Sequence, residues 1–381
     1  MSTRPRVAIA HDYLTQLGGA EKTVLAMSRA FPDAPIYTML YEPGTTFPEF
    51  RDLDVRVPAI NRLTPLRNHH RAALPILPMV AGSMHVDADV VLCSSSGWAH
   101  GFRTNGRKLI YCHSPARWLY QADSYLGGQG NTLAKLGLRA TSRYLKQWDR
   151  RAAMSSDRYL ANSTAIRERV LGAYGIDADV VFPPAGLSIT QTVQPIQQVE
   201  NWVGGESPAL DSPDGAFYLV VSRLLPYKNV DAIVRAFANS GRRLVVVGRG
   251  PQAARLKAMK TSNVMMLSDL SDGELGWLYK NCRAIIAASY EDYGLTPLEA
   301  GAWGRPALAL RFGGFLDTIH EGISGMYFDE PTSAAIKDAV DRFEMTRFDA
   351  DKIRDHVKQF SQDAFSEKLH DAVDGLLAPS R

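Results

Sequence analysis

FYLVVSRLLPYKNVDAIVRAFAN, residues 217–239, carries the fold of this chain in miniature. Phe217–Ser222 is an apolar run of strand length that ends at Arg223. Pro226 breaks the backbone, Asn229 is an N-cap residue type, and Val230–Asn239 then carries apolar residues at helical spacing. A strand apolar on both faces, a short turn and an amphipathic helix form the repeating unit of a parallel sheet with crossover helices.

The same unit recurs along the chain. Val7–Ala10 is a strand, His11–Gly19 its loop, and a helix is expected from Ala20 to about Phe31. Further strands are expected at Ala88–Cys93, Lys108–Cys112, Arg158–Leu160 and Asp179–Phe182, with a basic helical stretch between Cys112 and Asp157. Arg243–Val247 leads into Gly248-Arg249-Gly250-Pro251, Val264–Leu267 into a Ser271-x-x-Glu274 capping box, and Arg283–Ala288 into a helix over Thr296–Ala302. Residues 186–215 are rich in Gln, Gly, Pro and Ser and show no period, so the rhythm breaks there. The expectation is an α/β chain of two Rossmann-like domains with parallel sheets, at 1–190 and 215–358, joined by a connection at 191–214 and closed by an amphipathic helix at about 360–381. Ligands of such sheets sit beyond the carboxyl ends of the strands.

Composition narrows the function classes. The 381 residues include 45% apolar and 22% charged residues, with a formal net charge of +3. No Lys/Arg block stands out, which argues against nucleic-acid binding. Cys93, Cys112 and Cys282 are far apart and form no CxxC, so neither a disulfide framework nor structural zinc is indicated, and a cytoplasmic location is expected. No apolar stretch approaches the ~18 residues of a membrane span; Leu74–Gly82 is short and broken by Pro75 and Pro78.

Five turns carry candidate chemistry. In Glu291-Asp292-Tyr293-Gly294-Leu295-Thr296-Pro297-Leu298-Glu299-Ala300, Gly294 admits close approach of a ligand and the helix N-terminus favours an anion. Glu291 and Glu299 can each accept bonds from ligand hydroxyls. The structural alternative is a capping box with Thr296 as N-cap, Pro297 at N1 and Glu299 at N3, and a solvated Glu291. Arg223 and Lys228 share the turn after Phe217–Ser222, where two cations can neutralise a diphosphate; either one alone would read as a surface charge. Gly18-Gly19-Ala20-Glu21 can offer backbone N–H groups to a phosphate, or simply turn the chain. His113, in His113-Ser114-Pro115-Ala116-Arg117-Trp118, follows a strand and is either a site residue or polar packing. Gly248-Arg249-Gly250-Pro251 lacks the third glycine of a dinucleotide fingerprint, which ranks an oxidoreductase low.

Taken together, these segments resemble the GT-B retaining glycosyltransferases of family 4 over nearly the whole chain. The likeness rests on VSRLLPYKNVD, VVGRGP, the E-x7-E pair Glu291 and Glu299, GGAEK, and ANSTAIRERVLGAYG before Val181-Phe182-Pro183-Pro184. HDYLTQLGGAEK and YCHSPARWLY resemble the bacterial polysaccharide and O-antigen mannosyltransferase branch. The resemblance implies two domains facing across a cleft, with the last helix returning to the first. It implies that Arg223 and Lys228 hold the donor diphosphate, that Glu291 binds the transferred sugar, and that Tyr293, Gly294, Leu295 and Thr296 lie near sugar and phosphate through their backbone. Glu299 would bind the ribose. Gly248 and Arg249 would border the donor, Gly18 and Gly19 would approach the phosphate, and His113 would contact the sugar near the reacting carbon. Tyr293 stands where the family often has Phe.

The implied activity is retaining transfer of a hexose, mannose from GDP-mannose first, to a glycan or lipid-linked acceptor in cell-envelope synthesis. A UDP-sugar donor, a nucleotide-sugar epimerase or hydrolase, and a non-catalytic partner of a transferase are the alternatives. Asp87-Ala88-Asp89 precedes a strand rather than a donor loop, so the transfer is expected to need no metal and no cofactor beyond the nucleotide sugar. Arg62, Arg67, His69, His70 and Arg71 beside Leu63, Leu66, Leu74, Ile76 and Leu77 form a candidate patch for peripheral contact with the inner face of the plasma membrane. The alternative is a loop and helix packed on the first domain.

Overall fold

The computed structural model describes residues 5–68, 77–120, 132–185, 192–203 and 217–378. The chain forms two compact units, Met1–Pro184 with Gln362–Arg381, and Ala185–Ser361. Each is a parallel sheet with apolar packing on both faces.

In the first unit the strands run β1 (Val7–His11), β2 (Ile36–Thr38), β3 (Val55–Arg56), β4 (His85–Val86), β5 (Val90–Ser95), β6 (Arg103–Thr104), β7 (Arg107–Cys112), β8 (Arg158–Ala161) and β9 (Asp179–Val180). Seven of them form one sheet in the order β3-β2-β1-β5-β7-β8-β9, while β4 and β6 pair apart. Side chains alternate between its faces. Ala8, Ala10, Val91, Cys93 and Ile110 enter one core, and Ile9, Leu92, Leu109 and Tyr111 the other. That second core is closed by the helix Gly19–Ala30 and by Phe365, Leu369 and Val373 of the last helix, Gln362–Leu377. Gln362 Nε2 donates to the Ala26 carbonyl at 2.9 Å, and His370 Nε2 to that of Ala30 at 2.9 Å.

The second unit carries β10 (Phe217–Val221), β11 (Leu244–Val247), β12 (Val264–Leu267), β13 (Cys282–Ala287), β14 (Ala307–Leu310) and β15 (Gly325–Phe328), in the order β12-β11-β10-β13-β14-β15. Winding reverses between β1 and β5 in the first sheet and between β10 and β13 in the second. Such reversals open a crevice beyond the strand ends, where ligands of doubly wound sheets bind. The loops after β10 and β13 therefore lie side by side at the place where chemistry is expected.

Several elements differ from the sequence reading. β2 and β3 span only three and two residues, too few to show a period, and β14 (ALAL) lacks β-branched residues. The helix expected at Thr296 begins at Leu295, with Gly294 as its N-cap and no side-chain cap, so the Thr296–Glu299 capping box does not form. The Ser271–Glu274 box does, with both reciprocal bonds. Of the expected connection, 186–191 and 204–216 lie outside the described residues. Within 192–203, however, Ile196 and the two-turn helix after it (Gln197–Val203), through Val199, enter the second unit's core. These residues belong to that unit, and so short a helix shows no period in a polar stretch. Among the described residues no helix is long and apolar enough to cross a membrane.

The basic–apolar patch also changes. Arg67 is half-buried, donating to Glu42 Oε2 at 3.0 Å and to the Asn61 carbonyl at 2.9 Å, and Leu77 is wholly buried. Arg62 and Leu63 are exposed. His69, His70, Arg71, Leu74 and Ile76 lie outside the described residues.

Candidate functional site

The crevice of the second unit is where two of its charges meet. Lys228 closes a short 3-10 turn, Pro226–Lys228, that follows β10, and its side chain is only 9% exposed. Its ammonium pairs with the Glu291 carboxylate, which hangs from the loop after β13 and is 27% exposed. A desolvated ammonium requires such compensation. Ser289 Oγ donates to Glu291 Oε1 at 3.2 Å. Asn229, with φ 51°, holds the two loops together by donating from Nδ2 to the Ala288 carbonyl at 2.8 Å. Asn229 occupies the N-cap position of the helix Val230–Phe237, but its side chain crosses to the neighbouring loop instead of capping.

A third loop fixes the acidic turn from below. Gly314 N donates to the Glu291 carbonyl at 3.0 Å. A Cβ at Gly313 would strike that same carbonyl, and one at Gly314 the Tyr293 backbone. Gly294 has φ 85°, and a Cβ there would lie 2.6 Å from the Phe315 ring. Its glycine serves a left-handed turn packed on Phe315, and Tyr293 is buried beside it. Gly313-Gly314-Phe315, from the loop after β14, thus shapes the turn that carries Glu291.

The remaining residues of this edge divide into exposed cations and a buried acid. Arg223 is exposed and donates from Nη2 to the Tyr227 hydroxyl at 3.2 Å. Arg249 is 71% exposed and pairs with Asp269. Gly248 packs against the Ser222 carbonyl with no room for a Cβ. Leu295 and Thr296 open the helix Leu295–Ala302 and are half-buried. Glu299 is 6% exposed, and its Oε2 accepts from the buried Tyr279 hydroxyl at 2.7 Å. Burial first, then the Glu299 charge, pushes that phenol well above its ordinary range.

The carboxyl edge of the first sheet is built from neutral and internally bonded groups. His113 follows β7, is buried, and stands with Nε2 2.7 Å from Ser94 Oγ. Burial, and next the nearby His11 charge, push its imidazole down to about 3. Asp12 is buried but accepts from the backbone N–H groups of Ser96, Trp98 and Ala99 at 2.6, 3.1 and 2.6 Å. Gly18 is the N-cap of the helix Gly19–Ala30, and a Cβ there would strike the Glu21 carboxylate. Gly19 is exposed with open space where a Cβ would project. Glu21 is buried, and its carboxyl is pushed up chiefly by that burial.

Residues 17–188 match the family described as Glycosyltransferase Family 4, and residues 207–365 match Glycosyl transferases group 1. This chain is a glycosyltransferase of the group 1/family 4 kind. It is similar to the human alpha-1,3/1,6-mannosyltransferase ALG2, at 26% identity over 98% of this chain and 97% of that one. Among solved structures it resembles the Anabaena protein HepE in complex with UDP and glucose, with a TM-score of 0.68 and 15% identity over 97% of this chain and 100% of that one. It also resembles the lipopolysaccharide outer core galactosyltransferase WaaB, with a TM-score of 0.64 and 18% identity over 97% and 99%. The two structures share the GT-B fold with this glycosyltransferase.

The glycosyltransferase therefore brings Lys228 and Glu291 together and sets Arg223 in the same loop as Lys228. Lys228 and Glu291 are not the surface charges that either residue alone suggests. His11, Asp12, Ser94, Gly313 and Gly314 were not singled out in the sequence, and Asn229 was read only as an N-cap. The first five lie in or just after a strand's carboxyl end, which is the signal that could have found them. A further set has the look of a hydrolytic triad: Ser95 Oγ is 2.8 Å from His100 Nδ1, and His100 Nε2 is 3.0 Å from Asp149 Oδ1. All three are at most 2% exposed, and Tyr120 donates to Asp149 Oδ2 at 2.8 Å. A nucleophile so enclosed meets no substrate; the set braces the core. Asp87 and Asp89 flank the opposite, amino end of β5, paired with Arg6.

Proposed function

We propose that this glycosyltransferase is a retaining hexosyltransferase that moves mannose from GDP-mannose to a glycan or lipid-linked acceptor in cell-envelope synthesis. The observation that carries the reading is the Lys228–Glu291 pair at the crevice between β10 and β13, beside the start of the helix Leu295–Ala302. End-to-end similarity to a mannosyltransferase supports the choice of sugar.

The mechanism follows from where charge develops. Cleavage of the sugar–phosphate bond leaves negative charge on the departing diphosphate and positive character on the sugar. Lys228 and the exposed Arg223 stabilise the diphosphate, joined by backbone N–H groups of Gly294, Leu295 and Thr296 at the helix start. Glu291 accepts from hydroxyls of the transferred sugar, and Glu299, oriented by Tyr279, accepts from the ribose. Gly248 and Arg249 border the nucleotide, with Tyr293 as the packed base of the acidic turn. In the first unit, Gly18 and the open Gly19 admit a phosphate, and His113 hydrogen-bonds the sugar. Two cationic side chains supply the charge a metal would otherwise provide, so transfer proceeds without one, at a cytoplasmic location. Retention comes from the family resemblance.

A thermal-shift series with GDP, UDP, ADP and their sugars tests the donor, because a ligand at 100 times its Kd stabilises by about 2.7 kcal/mol. A rise of several degrees with GDP and GDP-mannose, undiminished by EDTA, is expected. A selective response to another nucleotide, or none to any, overturns the assignment.

A further inference from the structure

Behind His113 lies a hydrogen-bonded chain in which one direction gives every hydrogen an acceptor. β1 and β5 are adjacent and place His11 opposite Ser94. His11 Nδ1 is 3.0 Å from the Ser94 carbonyl oxygen and 3.0 Å from Ser94 Oγ. A carbonyl oxygen can only accept, so His11 Nδ1 carries a proton. Nδ1 therefore cannot accept from the Ser94 hydroxyl, whose hydrogen must go elsewhere. His113 Nε2, 2.7 Å from Oγ, is the acceptor in reach. Nε2 then bears no proton, and a neutral imidazole holds its single proton on Nδ1. Ser94 is fully buried, so water does not substitute for its hydroxyl.

We propose that Ser94 is a positioning residue that fixes His113 as the Nδ1-protonated, neutral tautomer through the chain His11 to Ser94 to His113. The consequence rests on the reading of His113 as a contact of the donor sugar. His113 then presents a fixed hydrogen-bond donor and exchanges no proton with substrate. Its strong downward shift accords with this, since a ring that stays neutral can be held by an acceptor bond at Nε2. The T-shaped Tyr111 ring, 5.3 Å away, holds the imidazole plane from the side.

The test separates the tautomer from the activity. Full-length protein labelled with 15N-histidine, read by long-range 1H–15N correlation at pH 7.5, should show His113 with a protonated Nδ1 and an unprotonated Nε2. Ser94→Ala keeps the His11–carbonyl bond and should shift His113 toward the Nε2-protonated form. In transfer assays Ser94→Ala should lower kcat about tenfold, the scale of one buried hydrogen bond, with KM little changed. A wild-type His113 protonated at Nε2 overturns the proposal, as does a Ser94→Ala variant with unchanged tautomer or unchanged kcat. If the protein transfers no sugar from any donor, the functional reading fails while the spectrum still decides the chain.

Discussion

The carboxyl edges of the two sheets occupy equivalent topological positions and are built by opposite electrostatic rules. In the second unit, Lys228 and Glu291 remain ionic and compensate each other, with exposed Arg223 and Arg249 nearby. In the first, Asp12 is consumed by three backbone N–H groups, and His113 is buried and held neutral. One edge can offer full charge to a ligand, and His113 on the other can offer an oriented neutral donor. A shared fold therefore does not assign a role to an edge; the partners of its charged groups do.

The largest expected effect breaks the charged edge. Lys228→Ala should cut kcat/KM by about 10²–10³, the usual result of deleting one preorganised transition-state donor. The two halves of the pair should differ in folding. Lys228→Ala leaves Glu291, which is 27% exposed and able to rehydrate, whereas Glu291→Ala strips its carboxylate from an ammonium only 9% exposed. Glu291→Ala should therefore lower the melting temperature more than Lys228→Ala. Equal melting temperatures, or near-normal transfer by Lys228→Ala, would mean the pair is ordinary surface charge.

A pH titration sharpens the neutral edge. Burial pushes His113 from its ordinary value near 6.5 down to about 3. Below about 6.5 the unfolded chain binds a proton that the folded one refuses, so this stabilisation is complete above that pH and fades as pH falls toward 3. The slope reaches about 1.4 kcal/mol per pH unit. Urea melts of His113→Asn between pH 7.5 and 5 should show less acid loss than wild type, by roughly 2 kcal/mol. Parallel curves would place His113 in water.

The strand–turn–helix rhythm was legible because parallel strands buried on both faces are continuous apolar runs, as in Val245–Val247 and Ile285–Ile286. Arg223, Lys228 and Glu291 were legible because each follows such a run. The glycine support was not. Gly313 and Gly314 act on the Glu291 turn from a different loop, and their partner is invisible until β14 is placed beside β13. The Thr296 cap failed for the same reason. Local capping preference favours Thr296, but packing of Gly294 on Phe315 sets the N-cap two residues earlier. Tertiary contact overrode a correct local rule.

Glu299 is the buried acid of the charged edge, at least as enclosed as His113 on the neutral one, and the smallest expected effect concerns it. Tyr279→Phe removes the hydroxyl that donates to Oε2 at 2.7 Å without altering the ring's packing. Loss of one donor to a buried carboxylate should cost about 1–2 kcal/mol, a fall of a few degrees in melting temperature. If Glu299 also receives the ribose, a carboxylate no longer held in place should weaken nucleotide binding roughly threefold, the scale of a modest lost orientation. Calorimetry on the variant separates the two roles. A lower melting temperature with unchanged nucleotide affinity would make Glu299 a structural acid, and the charged edge would then rest on Arg223, Lys228, Arg249 and Glu291.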